Sequence, residues 1–348
     1  MSEKAAILSP EEISEKKKVL ENVKEKLCGV ILGQDEVIEQ LVIGFFAGGH
    51  ILFEGLPGLG KTELVKGLAG LLSLDFRRIQ FTPDMMPGDI TGNYLIQEDD
   101  KGRKDLVFHK GPVFGNVILA DEINRASPKT QAALLEAMQE KRVTVMGTTY
   151  SLPRPFFVLA TQNPIELEGT YPLPEAQIDR FLIKVTVDKV DSSVLSRIIS
   201  ERKKGIPPKQ EPVMGSEEVL AIFDSVSRVY LPPAVSSYIG RLISATHPDS
   251  EHAPEVVRKF VRYGASTRGA IALAEGGRIA AVLADRPNID FEDIKKIAVP
   301  AVAHRLVLEY AASIEHVTER DVMESIVEHV PELEKDIPEE VKVRGDSS

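Results

Sequence analysis

The sequence predicts an α/β fold: a domain built on a parallel sheet, followed by a smaller all-α domain. Three observations carry that prediction. The short apolar run His50-Ile51-Leu52-Phe53-Glu54 enters a glycine-rich loop, Gly55-Leu56-Pro57-Gly58-Leu59-Gly60-Lys61-Thr62, and leaves it into a segment of helical spacing. Two further apolar runs, 116–122 and 156–163, are β-branched without alternating, as strands buried on both faces of a parallel sheet are, and each ends in polar residues. From 216 to 330 the apolar spacing is almost wholly helical.

Composition bounds the function. A chain of 348 residues suggests two domains, and 43% hydrophobic with 27% charged residues is an ordinary globular balance. The formal charge of −11 disfavours a general nucleic-acid footprint. Cys28 is the only cysteine, so no intrachain disulfide can form, and a reducing, cytoplasmic setting is expected. No 18-residue apolar run and no basic start followed by an apolar run occurs, so neither a membrane span nor a signal peptide is expected.

Taken in order, residues 1–8 read as a loose terminus. Ser9-Pro10-Glu11-Glu12 then starts a helix with Ser as cap, Pro at the first position and Glu three residues after the cap. Ile13, Leu20, Val23 and Leu27 give it a thin apolar stripe. Val30-Ile31-Leu32-Gly33-Gln34 is a turn before a second helix over 35–47; beside a phosphate loop, Gly33 and Gln34 can help wrap an adenine base. The loop fits G-x-x-x-x-G-K-[ST]. Glycine lets backbone N–H groups turn toward an anion, Lys61 supplies a mobile positive charge for β- and γ-phosphates, and the Thr62 hydroxyl suits Mg²⁺. Gly55, Pro57, Gly58, Leu59, Gly60, Lys61, Thr62 and Glu63 are the expected ATP contacts.

Residues 76–81 alternate as a strand. Residues 82–115 are long for a plain connection, with Pro, Gly and Asp clustered at 82–89 and a hairpin-like piece around Asp99-Asp100-Lys101-Gly102. Met85 and Met86 are either adaptable contact residues or packing for that insertion. Asn116-Val117-Ile118-Leu119-Ala120-Asp121-Glu122 is a buried strand closed by two acids. At a strand's carboxyl end Asp121 can orient Mg²⁺ through its waters, and Glu122 can align and polarise an attacking water. Ser127-Pro128 opens a helix to 140, residues 143–152 form a hairpin about Gly147, and the 156–161 strand runs into Gln162-Asn163-Pro164. Asn163 could orient the water or read the γ-phosphate, or simply begin an Asn-Pro turn. The expected division is a nucleotide-binding domain over 1–190, a basic, Pro-containing linker over 191–212, a helical domain over 213–330 and a flexible tail over 331–348.

This order of elements resembles a P-loop NTPase of the AAA+ class. Asp121-Glu122-Ile123-Asn124-Arg125-Ala126, Gln162-Asn163-Pro164 and Glu168-Gly169-Thr170-Tyr171-Pro172-Leu173-Pro174-Glu175-Ala176-Gln177-Ile178-Asp179-Arg180-Phe181 resemble the MoxR family over roughly 15–330. Leu167 and Ile178 depart from that pattern, where Gln and Leu are expected, at no catalytic position. The resemblance implies that 82–115 is a β-hairpin inserted into the second helix and that 143–152 is the pre-sensor hairpin. It implies Asn163 as the γ-phosphate sensor, Arg180 as an arginine finger and Arg268 as a lid arginine contacting ATP within its own subunit. Arg125 is a rival interface arginine; Arg180 could instead pair with Asp179, and Arg268 could cap a lid helix.

A finger supplied in trans needs a head-to-tail oligomer, and the family implies a hexameric ring. The expected function is an ATP-hydrolysing, chaperone-like remodeller. The family further implies von Willebrand factor A domain partners and maturation or metal-cofactor insertion in client complexes. A metal-chelatase motor subunit and a nucleic-acid motor are the rivals; the charge and the lack of a basic, aromatic-interleaved stretch count against the second.

Overall fold

The computed structural model describes residues 8–55, 60–98, 100, 103–163, 169–187, 191–202, 207–208 and 210–333. The expected contacts at Pro57, Gly58 and Leu59, the hairpin tip at Asp99, Lys101 and Gly102, the start of the motif at 164–168 and the tail beyond 333 lie outside them.

Ser9 caps α1 (Pro10–Val30) through a complete capping box: the Glu12 N–H donates to Ser9 Oγ at 3.2 Å and the Ser9 N–H donates to Glu12 Oε2 at 2.8 Å. Ile13, Leu20, Val23 and Leu27 are fully buried, and Leu8, expected in a loose terminus, is buried as well. α2 (Asp35–Phe46) leads into β1 (Ile51–Gly55), and α3 (Lys61–Leu71) and β2 (Phe76–Gln80) follow.

The long segment after β2 contains a five-residue helix, α4 (Pro87–Thr91), and the hairpin β3 (Gly92–Glu98) and β4 (Lys104–Lys110). The sheet resumes with β5 (Val117–Asp121), then come α5 (Pro128–Glu140), the hairpin β6 (Arg142–Val145) and β7 (Thr148–Ser151), and β8 (Phe157–Gln162). The two hairpins meet through aromatic side chains. Tyr94 and Tyr150 share a hydroxyl hydrogen bond of 2.7 Å, and Phe108 stacks on Tyr150 with ring centroids 4.2 Å apart.

A short helix, α6 (Glu175–Ile178), precedes β9 (Ile183–Val187), a strand the sequence reading passed over. All five central strands are parallel, in the order β2-β5-β8-β1-β9. Helix α7 (Ser192–Glu201) occupies the first half of the expected linker.

The remainder is helical but not wholly so. It comprises α8 (Ser216–Val226), α9 (Pro233–Ala245), α10 (Glu255–Phe260), β10 (Val261–Tyr263), α11 (Thr267–Leu283), α12 (Phe291–Val302), β11 (Val307–Leu308), α13 (Tyr310–Ile314) and α14 (Glu319–His329). The antiparallel β10–β11 pair is a correction to the all-helical reading: strands of three and two residues carry no periodicity and exist only because their context pairs them. This lid packs back on the first domain, where Glu39 of α2 is bracketed by Lys24 of α1 and Lys296 of α12.

His50, just before β1, ties the sheet to α5. Its Nδ1 accepts from the Val158 N–H at 3.0 Å, so Nε2 carries the proton and donates to the Met138 carbonyl at 3.1 Å. Full burial pushes this imidazole down to about 4. Burial, with Arg305 alongside, also pushes His304 well below the ordinary histidine range. A depressed folded pKa means the unfolded chain takes up the proton first. Stability is therefore intact above about pH 6.5 and lost as pH falls toward 4, His50 alone accounting for about 3 kcal/mol at the low end. Urea denaturation from pH 7.5 to 5 should show this loss, and His50→Gln should shallow its pH slope; an unchanged slope refutes the assignment.

Candidate active site

Strands β1, β5 and β8 end side by side, and their carboxyl ends carry the chemistry. Lys61 begins α3, and its Nζ donates to the Gly55 carbonyl at 2.6 Å. Burial pulls this ammonium below the ordinary lysine range, while the Asp121, Glu122 and Glu54 carboxylates work in the opposite direction. Gly60 is left-handed at φ 79°, a conformation that favours glycine, and gives α3 no side-chain cap. The first N–H groups of α3 are thus left for an anion, with the helix dipole behind them.

Asp121 is held on both oxygens. Thr161 Oγ1 donates to Oδ1 at 2.7 Å and Arg78 Nη2 to Oδ2 at 2.7 Å. Thr161 also accepts the Glu122 N–H at 2.8 Å, so one hydroxyl fixes both acids. Glu122 sits in the left-handed region at φ 58°, unusual for a residue with a side chain, and such a conformation persists only where its surroundings hold it. Its Oε2 accepts from Gln80 Nε2 at 2.8 Å and from Arg125 Nη1 at 3.2 Å. Asn163 is buried at the end of β8, and its carbonyl accepts from Asn124 Nδ2 at 3.5 Å.

The donor set suits Mg²⁺-ATP. A lysine, uncapped helix N–H groups, one hydroxyl (Thr62) and one carboxylate (Asp121) match a cation that keeps most of its waters and shares phosphate oxygens. Glu63 is half-buried in the first turn of α3. The 30–34 turn joins the same site. The position where a Cβ on Gly60 would stand is 2.9 Å from Ile31 Cδ1, and a Cβ on Gly33 would be 2.5 Å from Val194 of α7. The turn therefore touches Gly60 through Ile31 and α7 through Gly33, which stands at φ 72°, and Gln34 is buried.

Sequence reasoning missed Thr161, Gln80, Arg78 and Val194. A threonine within an otherwise apolar strand end and a polar residue closing β2 were the available signals for Thr161 and Gln80.

Arg180 and Arg268 are not in this site. Leu182 N–H donates to the His50 carbonyl at 2.8 Å, which places the 179–182 segment beyond the amino end of β1. The phosphate loop leaves the other end, about 13 Å away for a five-residue strand. Arg268 Nη1 pairs with Asp179 Oδ2 at 3.1 Å on that far edge. The lid places Arg268, expected to contact ATP of its own subunit, at the edge of the sheet opposite Lys61. Asp179, the alternative partner for Arg180, pairs instead with Arg268 and Arg305. Arg180 is half-buried, donates from Nη1 to the Leu135 carbonyl at 3.0 Å, and lines a surface cleft of about 620 Å³ with Glu136, Glu140 and Arg142.

Comparison with known proteins agrees with this geometry. Residues 50–183 match the ATPase family associated with various cellular activities (AAA), and 254–326 match the AAA lid domain. The chain is 37% identical over 301 residues to Chaperone MoxR1 of Mycobacterium tuberculosis, covering 86% of this chain and 79% of that one. It is 30% identical to Protein MoxR of Methylorubrum extorquens, covering 82% of this chain and 87% of that one. A crystal structure of a proposed ATPase from Cytophaga hutchinsonii superposes with a TM-score of 0.83 at 41% identity, covering 92% of this chain and 97% of that one. With these family matches and relatives of 30–37% identity over most of its length, the chain belongs to the MoxR family of AAA+ ATPases.

Proposed function

We propose that this chaperone-like AAA+ protein hydrolyses Mg²⁺-bound ATP at the ends of β1, β5 and β8, and that it works as a head-to-tail ring, a hexamer by family. The observation that carries the reading is the placement of Lys61, at the N-terminus of a helix with no side-chain cap, at the sheet end where β5 presents Asp121 and Glu122. Mg²⁺-ATP, when bound, supplies the transferable phosphoryl group and a cation that neutralises its oxygens. Lys61 gives up the Gly55 carbonyl and binds β- and γ-phosphate oxygens. Thr62 and Asp121 are the residues that would hold the cation. Glu122, its carboxylate oriented by Gln80 and Arg125, takes the proton of the attacking water. Asn163, at the end of the adjacent strand, senses the γ-phosphate. The Gly33–Gln34 turn and Val194 enclose the base.

Arg180 and Arg268 share the edge that a neighbouring subunit's nucleotide would meet, so both are assigned to the next site in the ring. By family resemblance the ring acts with von Willebrand factor A domain partners on client complexes, metal-cofactor insertion being the expected task.

Lys61→Ala tests the site itself. Losing one charge-assisted contact of about 1.5–3 kcal/mol weakens ATP binding by roughly 10–150-fold. Fluorescent-nucleotide titration and phosphate release should show weakened binding and no turnover; a variant with wild-type turnover removes the proposal.

A further inference from the structure

Arg305 belongs to the lid by sequence and to the Arg180 segment by contact. It ends the helical turn that follows α12, and its side chain is only 3% exposed. Nε donates to the Ala301 carbonyl of α12 at 2.8 Å, which anchors the side chain in the lid. Nη1 donates to the Asp179 carbonyl at 2.7 Å and also to the Asp179 carboxylate. Nη2 donates to the Phe181 carbonyl at 2.7 Å and to that of Leu182 at 3.4 Å. The carbonyls it holds stand immediately before and immediately after Arg180. His304 adds a contact from its Nε2 to the same Phe181 carbonyl at 3.3 Å.

The chemistry requires arginine. A guanidinium is a rigid planar fork with donors pointing in several directions, whereas a lysine ammonium is one point at the end of a flexible stem. Only the fork spans carbonyls on both sides of one residue. A buried cation also needs its hydrogens taken and its charge matched. Asp179 supplies the charge, and its carboxylate additionally accepts from Ser266 Oγ at 3.0 and 3.1 Å and pairs with Arg268 at 3.1 Å. The backbone on each side of Arg180 is therefore fastened to the turn after α12, and the Asp179 side chain to the start of α11, while the Arg180 side chain itself reaches α5.

We propose that Arg305 is a positioning residue for Arg180, clamping the lid of each subunit to the backbone that carries its finger. Lid movement in one subunit then sets where that finger stands in the neighbouring site. The inference rests on the reading of Arg180 as a trans arginine, which Arg180→Ala alone tests.

The experiment is a complementation assay on full-length rings. Arg305→Lys keeps the charge and loses the fork; Asp179→Asn, at a less buried position, loosens the same clamp if the first variant fails to fold. Either variant should bind ATP within about two-fold of wild type and lose kcat by ten-fold or more. Mixed with Lys61→Ala subunits, it should regain activity, because some interfaces then join its intact phosphate loop to a correctly held Arg180. Mixed with Arg180→Ala subunits, it should regain none, since neither supplies a working finger. A residue needed only for folding would place Arg305 in no such group. Wild-type kcat in both variants, recovery with Arg180→Ala, or no recovery with Lys61→Ala in confirmed mixed rings each overturns the clamp. Wild-type turnover by Arg180→Ala itself overturns instead the reading beneath it.

Discussion

Arg180→Ala protein is expected to lose ATP turnover by about 10³-fold or more while binding nucleotide normally, and to regain part of it when mixed with Lys61→Ala protein. Phosphoryl transfer spreads negative charge over the equatorial oxygens, and an arginine placed against them stabilises it. Arg180 cannot do this for its own site, because its segment lies beyond the amino end of β1 and the phosphate loop lies beyond the carboxyl end. A head-to-tail contact would bring those two edges of successive subunits together, generating a ring where the rotation closes and a filament where it does not. In mixed rings some interfaces combine the intact loop of an Arg180→Ala subunit with the intact finger of a Lys61→Ala subunit. A cis arginine gives no such interface, since every site lacks one essential group. ATPase rate against mixing ratio, at a concentration where light scattering reports rings and subunits exchange, is the measurement. No recovery at any ratio in confirmed mixed rings moves the role to Arg125, which stands 3.2 Å from Glu122.

The separation of the two edges also explains what the sequence could and could not disclose. Local signals were sufficient where a residue's role is set by its immediate neighbours. The capping box at Ser9 and Glu12 formed as read, the strand before the loop formed, and Asp121 and Glu122 arrived at a strand end because an unbroken apolar run has nowhere else to go than a buried parallel strand. The hairpin about Gly147 was equally local: Met146 and Gly147 both take positive φ, which matches a two-residue turn to the twist of its strands. β9 was legible in principle, since Ile183, Val185 and Val187 alternate with Lys184 and Thr186, but five residues between two polar segments give a weak signal.

The position of Arg268 was not legible in this way. Which edge of the sheet a lid arginine reaches depends on the path the chain takes after β9, and that path is set by packing between distant elements. α7 illustrates the point. Its Ser192–Glu201 sequence exposes Leu195 and Ile199, so it reads poorly as a core helix, yet Val194 on its other side closes over Gly33. Arg305 gave no sequence signal at all: a buried arginine whose partners are carbonyls more than 120 residues away is written in tertiary structure alone.

Glu122→Gln is expected to keep ATP affinity and to reduce hydrolysis by about 10²–10⁴-fold, the range for losing a general base. The reasoning is geometric. Glu122 carries its side chain from a left-handed backbone position that Thr161 and the neighbouring strand end secure, and neither of these contacts uses the carboxylate. Glutamine therefore keeps the backbone in place. Its amide oxygen still accepts from Gln80 Nε2 and Arg125 Nη1, so the side chain keeps its orientation. What it loses is the capacity to take a proton from water. The proposed phosphate contacts are Lys61 and the N–H groups of α3, none of which the change touches. The amide even removes one of the three carboxylates facing Lys61, which favours an anionic ligand. Nucleotide titration together with single-turnover phosphate release separates the two steps. Wild-type release would take the base role away from Glu122, and loss of binding in a folded protein would place this residue among the phosphate contacts instead. The expected outcome, a ring that holds ATP without consuming it, would also retain clients and partners long enough for co-purification.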